Sequence, residues 1–319
     1  MSVELSNQAG ECSIFAFLLA QTVVAPIQIP EQRYVSETSA NVAAVFDDTN
    51  PEDQNKVIRE LERLADEGDD SALEMLGEIF AFGVAGAQRD RGRACGYFLR
   101  LGGRRADGLH NLANCYDFGG GWPKDLAKAR ALYRRAAEAG YQQSICAYGN
   151  MLIKGEGGAQ DASEGLRLCR LSAVSGDANA QTDYGGYLLM GIGTERNPEL
   201  ARFMFEQAVV QEQRNAAFLL AQIPQKGDGV PADDEEARKW FERSYQWGRP
   251  DAAFQVGLIH ARRGYSQKDG ETVLRPKDLR KALEWFEATL RDDDNPKTRE
   301  DARGLIENVE TLLERVTSQ

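Results

Sequence analysis

Small and large apolar residues recur along the chain with a spacing of 36 positions. Each recurrence begins with a small residue. Four positions later stands a large apolar residue, directly before glycine or alanine, as in Leu76 followed by Gly77. Side chains four positions apart share one face of a helix, so each segment predicts a helix. The glycine or alanine after the large apolar residue would let a second helix approach closely. The six segments start at Ala72, Gly108, Ser144, Ala180, Ala216 and Ala252.

A second predicted helix follows in every unit. It carries a small residue and, four positions later, an apolar one. The later positions are Phe98, Tyr133, Cys169, Phe205, Phe241 and Phe286. Most units then close with a glycine that stops a helix, such as Gly140 or Gly176. A single helical hairpin cannot bury its apolar face alone, so the pattern predicts an all-α fold, a right-handed α-solenoid of about six helix-turn-helix repeats.

A Gly-x-Gly turn followed by Asp or Asn separates the two helices of most units. In "KGDGVPADDEE", residues 226–236, such a turn resembles a loop for phosphate or calcium. A ligand loop would normally occur once, whereas this turn recurs in phase. We therefore interpret the glycines as residues with positive φ and the Asp or Asn as a helix cap. The recurring residues are Gly119, Gly155, Gly191 and Gly227, then Asp125, Asp161, Asn197 and Asp233.

The fifth and sixth units each depart from the repeat pattern, and each departure predicts a local change in structure. Pro224 occupies a column that holds Phe80 or Tyr116 in other units, so the first helix of the fifth unit should end early or kink. The sixth unit contains an insertion of nine residues near Tyr265 to Pro276. We expect this loop to cap the array or to contact a partner, and capping is the favoured role because terminal repeats are usually atypical.

Three regions follow from these patterns. Residues 1–67 form an acidic N-terminal segment with an apolar stretch at 12–30 and a leading helix, residues 68–290 form the solenoid, and residues 291–319 form a C-terminal capping helix. No Lys or Arg precedes the apolar stretch, and polar residues interrupt it too early for a membrane span. Cytoplasmic localisation is therefore favoured, with a periplasmic or secreted protein as the alternative.

Charge is unevenly distributed in a chain of net charge −12. Residues 1–70 carry 14 acidic and 4 basic residues, whereas residues 88–135 carry 11 basic and 4 acidic ones. We expect two solvated faces that attract each other, or a basic surface for an acidic protein patch. The overall acidity argues against nucleic acid as a partner. The candidate basic surface consists of Arg104, Arg105, Arg134 and Arg135.

Catalytic chemistry finds little support in the sequence. The two histidines, His110 and His260, lie in distant repeats, so neither a metal site nor a cofactor is expected. Cysteines occur at five positions without C-x-x-C spacing, which predicts buried free thiols rather than a disulfide framework. His110 and Cys146 share a column in adjacent units and leave a thiol-dependent hydrolase as a remote alternative, although packed helices lie about 8–10 Å apart. The cysteines are Cys12, Cys95, Cys115, Cys146 and Cys169.

The segment "DGLHNLANCYDFGGGWPKDLAKARALYRRAAEAG", residues 107–140, resembles the Sel-one-like repeat branch of the tetratricopeptide superfamily. The resemblance extends over about residues 68–290. It implies a non-enzymatic scaffold or adaptor for another protein, of bacterial origin. Alternatives from the same resemblance are a secretion-linked regulator and an immunity protein that neutralises a toxin or effector.

In superhelices of this kind the first helix of each hairpin lines the concave surface. The corresponding columns here are rich in amides and become apolar towards the C-terminal end. Amide side chains can both donate to and accept from a peptide backbone, and phenylalanines can hold an apolar anchor. The predicted groove therefore binds a protein or peptide, and its residues are His110, Asn114, Gln143, Asn150, Asn179, Asn215, Phe218, Gln222, Phe254 and Leu258.

Overall fold

The computed structural model describes residues 51–83, 87–268 and 271–317, and helices account for most of them. Cys12, the apolar stretch at 12–30 and most of the predicted N-terminal segment lie outside these residues. Within the described ranges, no helix is both long and apolar enough to cross a membrane.

A leading helix, α1 (Pro51–Asp66), precedes six helical hairpins, and α14 (Pro296–Thr317) follows them. Each helix packs on its neighbours in sequence, which confirms the predicted all-α solenoid. The hairpins are α2 (Asp70–Phe82) with α3 (Arg91–Leu101), α4 (Ala106–Phe118) with α5 (Leu126–Glu138), α6 (Gln142–Lys154) with α7 (Ala162–Val174), α8 (Ala178–Met190) with α9 (Pro198–Val209), α10 (Arg214–Lys226) with α11 (Asp234–Gln246), and α12 (Ala252–Gly264) with α13 (Pro276–Asp292).

In the first helix of a repeat, the glycine directly after the large apolar residue makes room for the aromatic side chain of the second helix. A Cβ added to Gly185 would lie 2.6 Å from the ring of Phe205, and one added to Gly257 would lie 2.5 Å from Phe286. Both rings are fully buried. The sequence periodicity therefore reports the contact that joins the two helices of each hairpin.

The third repeat brings its two helices together without an aromatic ring. A Cβ on Gly149 would lie 2.6 Å from the carbonyl oxygen of Gly165. Cys169 occupies the column that holds an aromatic residue in most repeats, and its Cα lies 4.2 Å from that of Cys146. Helices α6 and α7 therefore approach backbone to backbone.

The interhelix turns have the structure that their sequence predicts. Gly155 and Gly227 both have φ of 71°, in the left-handed region that favours glycine. Asp161 caps α7 by accepting a hydrogen bond from the backbone N–H of Glu164 at 3.0 Å, and Asn197 caps α9 in the same way. In the second to fifth repeats, where it occurs, the Gly-x-Gly turn has a structural role.

Pro224 does not end its helix, so the predicted early termination is wrong. Helix α10 continues to Lys226, and the proline is buried within its last turn. What this position contributes to the turn is its backbone carbonyl group. The Pro224 oxygen accepts a hydrogen bond from the backbone N–H of Asp233 at 3.0 Å, as the oxygen of Leu188, in the same column, does from Asn197. Proline keeps this carbonyl and loses one helical hydrogen bond near the helix end, where its cost is smallest.

The insertion of the sixth repeat forms two short antiparallel strands rather than an irregular loop. Strand β1 (Tyr265–Lys268) pairs with β2 (Glu271–Leu274), with Tyr265 opposite Leu274. The strands connect α12 to α13. Helix α14 then packs on α13 and α12, and its Ala302 and Val309 are buried against Phe286.

Two disulfide bonds contradict the prediction of free thiols. Cys95 in α3 is bonded to Cys115 in α4, which links the first repeat to the second. Cys146 in α6 is bonded to Cys169 in α7 and links the two helices of the third repeat. An odd number of cysteines does not exclude disulfides, since one residue can remain outside the pairs.

Candidate functional site

One groove of about 480 Å³ crosses the first helices of the second, third and fourth repeats and reaches the start of α10. It runs along the face that the repeat columns predict. The structure brings six of the predicted groove residues together in its lining, and these are His110, Asn114, Gln143, Asn150, Asn179 and Asn215.

The amide side chains of the groove have their carbonyl oxygens occupied by neighbours. The Asn114 Oδ1 accepts a hydrogen bond from the Tyr133 hydroxyl at 2.5 Å, and the Asn179 Oδ1 accepts one from Gln213 at 2.6 Å. The Asn215 Oδ1 accepts one from Arg249 at 3.1 Å. Among the described residues, the side-chain nitrogens of these three asparagines have no hydrogen-bond acceptor. The groove therefore presents a row of N–H donors.

Asn150 differs from the other asparagines because both ends of its amide are bonded. Its Nδ2 donates to Asp183 Oδ2 at 2.6 Å, and its Oδ1 accepts from the Tyr187 hydroxyl at 2.8 Å. This network joins the third repeat to the fourth. Asn150 thus orients Asp183 within the groove while it lines the same surface.

Four carboxylates and two lysines line the groove, so its formal charge is −2. Burial raises the pKa of both Asp117 and Asp183. Neither carboxylate has an arginine or lysine within ion-pair distance in the described part of the chain. A cation or an N–H donor of a ligand could therefore pair with either of them. The charged lining residues are Asp117, Glu156, Asp177, Asp183, Lys124 and Lys154.

His110 is neutral at physiological pH. Its Nδ1 lies 2.8 Å from the Ser144 hydroxyl oxygen, and its ring lies between those of Tyr133 and Tyr141 at centroid distances of 5.4 and 5.1 Å. Burial lowers the pKa of His110 to about 4. The side chain therefore contributes an uncharged ring surface to the groove rather than a base.

The hydrolase alternative is contradicted by the state of Cys146. Its sulfur is bonded to that of Cys169, so it offers no thiolate to attack a substrate. His110 makes its hydrogen bond to Ser144 instead. No group of three or more His, Cys, Asp or Glu residues in the described ranges is arranged to hold a metal ion.

The predicted apolar end of the groove is part of the core, so its expected exposure is wrong. Phe218 is 8% exposed, with its ring 5.0 Å from that of Phe241 and the Arg249 guanidinium 3.7 Å from its centroid. Phe254 and Leu258 are partly buried in the cluster that includes α14. The sequence pattern failed here because the following helices cover this end. Gln222 is partly buried and lies outside the groove lining.

The predicted basic surface is largely paired with nearby acids. Arg104 lies 2.8 Å from Asp70. Arg105 is only 14% exposed, contradicting its predicted place on the surface, and it contacts Glu74 at 2.9 Å and Asp107 at 2.5 Å. The pair of Arg104 with Asp70 joins the acidic end to the basic stretch as expected, and Arg93 with Glu62 and Arg100 with Asp66 do the same.

The remaining cations of that surface are more exposed than Arg105. Arg134 is 56% exposed and lies 3.7 Å from Glu138, and Arg135 is exposed. These two positions are the ones where the predicted surface could still bind a partner.

The residues beneath the amide columns were not predicted from the sequence. Tyr133 and Tyr187 hold the asparagines in place, and Asp117 and Asp183 supply the charge of the groove. A signal for the carboxylates was present, because Asp117 follows Asn114 by three positions and Asp183 follows Asn179 by four, so each pair shares a helix face.

Comparison with protein-family models finds the Sel1 repeat over most of the solenoid. Comparison with curated proteins gives no significant match. The Sel1 repeat model matches six segments, which are residues 70–101, 106–141, 142–177, 178–209, 214–246 and 250–291.

Solved structures of two bacterial proteins are similar to this fold. A Sel1 repeat protein from Oxalobacter formigenes is 22% identical with a TM-score of 0.61, and the match covers 81% of this chain and 98% of that one. A protective antigen present in uropathogenic Escherichia coli strains is 21% identical with a TM-score of 0.53 over 79% of this chain. The match spans 55% of the length of that antigen. At these identities the likeness concerns the fold alone.

Proposed function

Because this chain belongs to the Sel1 repeat family, whose members are generally protein-interaction scaffolds, we propose that it binds an extended segment of another protein in its central groove. The observation that carries the proposal is the row of amide N–H donors. Asn114, Asn179 and Asn215 come from the first helices of the second, fourth and fifth repeats, with their carbonyl oxygens already bonded. A peptide in extended conformation presents carbonyl acceptors about every 3.3 Å along its chain.

The charge of the groove specifies the segment further. Asp117 and Asp183 are half-buried and lack a basic partner among the described residues, so a lysine or arginine of the ligand would gain an ion pair with either of them. The groove lining also contains more carboxylates than lysines. A segment with one or more basic side chains therefore suits it better than an acidic one.

A peptide-display library selected on the immobilised protein would test the groove. The affinities of the selected peptides are then measured by fluorescence anisotropy for the wild type and for the triple variant Gln143→Ala, Asn179→Ala and Asn215→Ala. These residues lie at the groove surface rather than in the core, and the Gln143 Oε1 accepts a hydrogen bond from the Tyr141 hydroxyl at 3.3 Å, so its side-chain nitrogen is a donor like those of the two asparagines. Loss of three hydrogen bonds of about 1 kcal/mol each weakens binding about 100-fold.

A matched control separates the groove from the basic surface. The variant Arg134→Ala with Arg135→Ala changes exposed residues that do not line the groove. It should bind the selected peptides as the wild type does. If this control lost binding while the triple variant kept it, the partner would bind the edge of the solenoid, and the groove proposal would be wrong.

The two disulfides also bear on localisation. Disulfide bonds persist in oxidising compartments and are rare in the cytoplasm. We therefore infer a periplasmic or secreted protein in place of the cytoplasmic protein that the sequence favoured. Fractionation of the native cell tests this inference, and recovery of the reduced protein in the cytoplasmic fraction would refute it.

A further inference from the structure

A second cleft of about 480 Å³ lies between the last two repeats and is lined mainly by cations. We call it the basic cleft. It lies where α11, α12 and α13 meet, and it shares no lining residue with the central groove. Its lining residues are Glu235, Arg238, His260, Arg263, Arg275, Lys277, Asp278 and Lys281.

The acids of the basic cleft neutralise only part of its positive charge. Glu235 forms ion pairs with Arg238 and, at 2.8 Å, with Arg263. Asp278 lies 3.4 Å from the His260 Nδ1. Burial lowers the pKa of His260, so the imidazole adds no positive charge at neutral pH. Five cations against two carboxylates leave a formal charge of +3 in a chain whose net charge is −12.

Three cations of the cleft are available to a ligand. In the described part of the chain, Arg275, Lys277 and Lys281 have no carboxylate within ion-pair distance, and all three are exposed. The guanidinium of Arg275 is held in place because its Nη1 donates to the carbonyl oxygen of Arg263 at 2.7 Å and to the Ser266 hydroxyl at 3.3 Å. Ser266 belongs to β1, so the inserted hairpin positions this arginine.

The spacing of these cations favours an extended ligand with several negative charges. Lys277 and Lys281 lie one helical turn apart on α13 and point along one face. Arg275 stands just before that helix. A single small anion would contact one or two exposed, hydrated side chains. A segment with successive carboxylates could contact all three cations.

We propose that the basic cleft is a docking surface for an acidic segment of a partner protein. The overall negative charge repels a long polyanion such as nucleic acid, whereas a short acidic peptide meets mainly the local positive field. The inserted strands therefore have a binding role in addition to closing the last repeat.

Binding of a fluorescein-labelled hexaglutamate peptide, followed by fluorescence anisotropy at about 20 mM salt, tests this proposal, because low ionic strength leaves surface charges poorly screened. The double variant Lys277→Glu with Lys281→Glu should bind at least tenfold more weakly than the wild type. The matched control is Lys297→Glu with Arg303→Glu, which makes the same charge change at exposed positions on α14. It should bind within about twofold of the wild type.

Three results would overturn the proposal. One is equal affinity of the wild type and the cleft variant for hexaglutamate. Another is an equal loss in the control, which would show that only net charge matters. The third is tighter binding of a single-stranded oligonucleotide of equal charge, lost in the same cleft variant. Thermal unfolding by circular dichroism verifies folding, and Lys277→Gln with Lys281→Gln replaces the cleft variant if it does not fold.

Discussion

The disulfide between Cys146 and Cys169 offers a quantitative test of how the third repeat is stabilised. The two cysteines are separated by 23 positions, and both are almost fully buried. Closing a loop of this length in the unfolded chain reduces its entropy by an amount worth about 3 kcal/mol at 25 °C. Replacing both residues by alanine should therefore make local opening of α6 and α7 about 3 kcal/mol easier.

Hydrogen exchange measured by mass spectrometry is the appropriate assay, because a repeat array need not unfold in one step. Where exchange follows local opening, 3 kcal/mol corresponds to exchange about 100-fold faster in peptides from residues 142–174. Repeats five and six should exchange as in the wild type, since each repeat contacts mainly its neighbours. The matched variant, Cys95→Ala with Cys115→Ala, should instead affect α3 and α4.

Peptide mapping of the unreduced protein must first verify that both disulfides are present. It should recover Cys95 linked to Cys115 and Cys146 linked to Cys169, with four hydrogen atoms fewer than in the reduced chain. Unreduced protein with all of these thiols free, or unchanged exchange in the alanine variant, would refute the stabilising role of the bond.

Further substitutions test packing and charge. Gly165→Ala should lower the free energy of unfolding by about 1–3 kcal/mol, because its Cβ would overlap a carbonyl oxygen of α6. Gly96→Ala, where a Cβ meets nothing within 4 Å, should raise it by up to about 1 kcal/mol; denaturant unfolding compares the two. Phe218→Ala should cost about 3–5 kcal/mol in the same assay, and a variant as stable as the wild type would contradict its place in the core. Burial and a hydrogen bond with Asp107 raise the pKa of Glu74 to about 7. The folded state therefore binds this proton more tightly than the unfolded chain does. The resulting stabilisation is fully present below the unfolded pKa of Glu74 and is lost as pH rises through about 7. The melting temperature of Glu74→Gln relative to the wild type should therefore be higher at pH 8.5 than at pH 5, and an unchanged difference would contradict this pKa.

The repeat architecture could be predicted because each of its devices is local and occurs several times. Positive φ at Gly155 and the cap made by Asp161 depend only on residues near the turn. The contact between Gly185 and Phe205 joins helices of one hairpin. A pattern that recurs in several units is read with little ambiguity.

The site was less predictable because its surroundings depend on contacts between repeats. The column rule places Phe218 among exposed residues, but it does not account for Arg249 stacking on the ring. The disulfide of Cys146 with Cys169 forms in the repeat where Gly165 stands in place of alanine and Cys169 in place of an aromatic residue, and this is visible only when the two helix columns are compared. The burial of Phe218 and the disulfide therefore depend on residues that differ from one repeat to the next, which the average repeat pattern does not include.

The central groove and the basic cleft have opposite formal charges and share no lining residue, so the two proposed interactions should be independent. In a solenoid each repeat contacts mainly its neighbours, so binding in one place perturbs a distant place only weakly. The groove is also anchored at its floor, since Cys146 lines it and is bonded to α7. We therefore expect a saturating concentration of hexaglutamate to change the affinity of a groove peptide by less than about twofold. A larger change would show coupling through the array. With independent sites, two segments of one partner that bind together would gain affinity from their linkage alone, without any new contact.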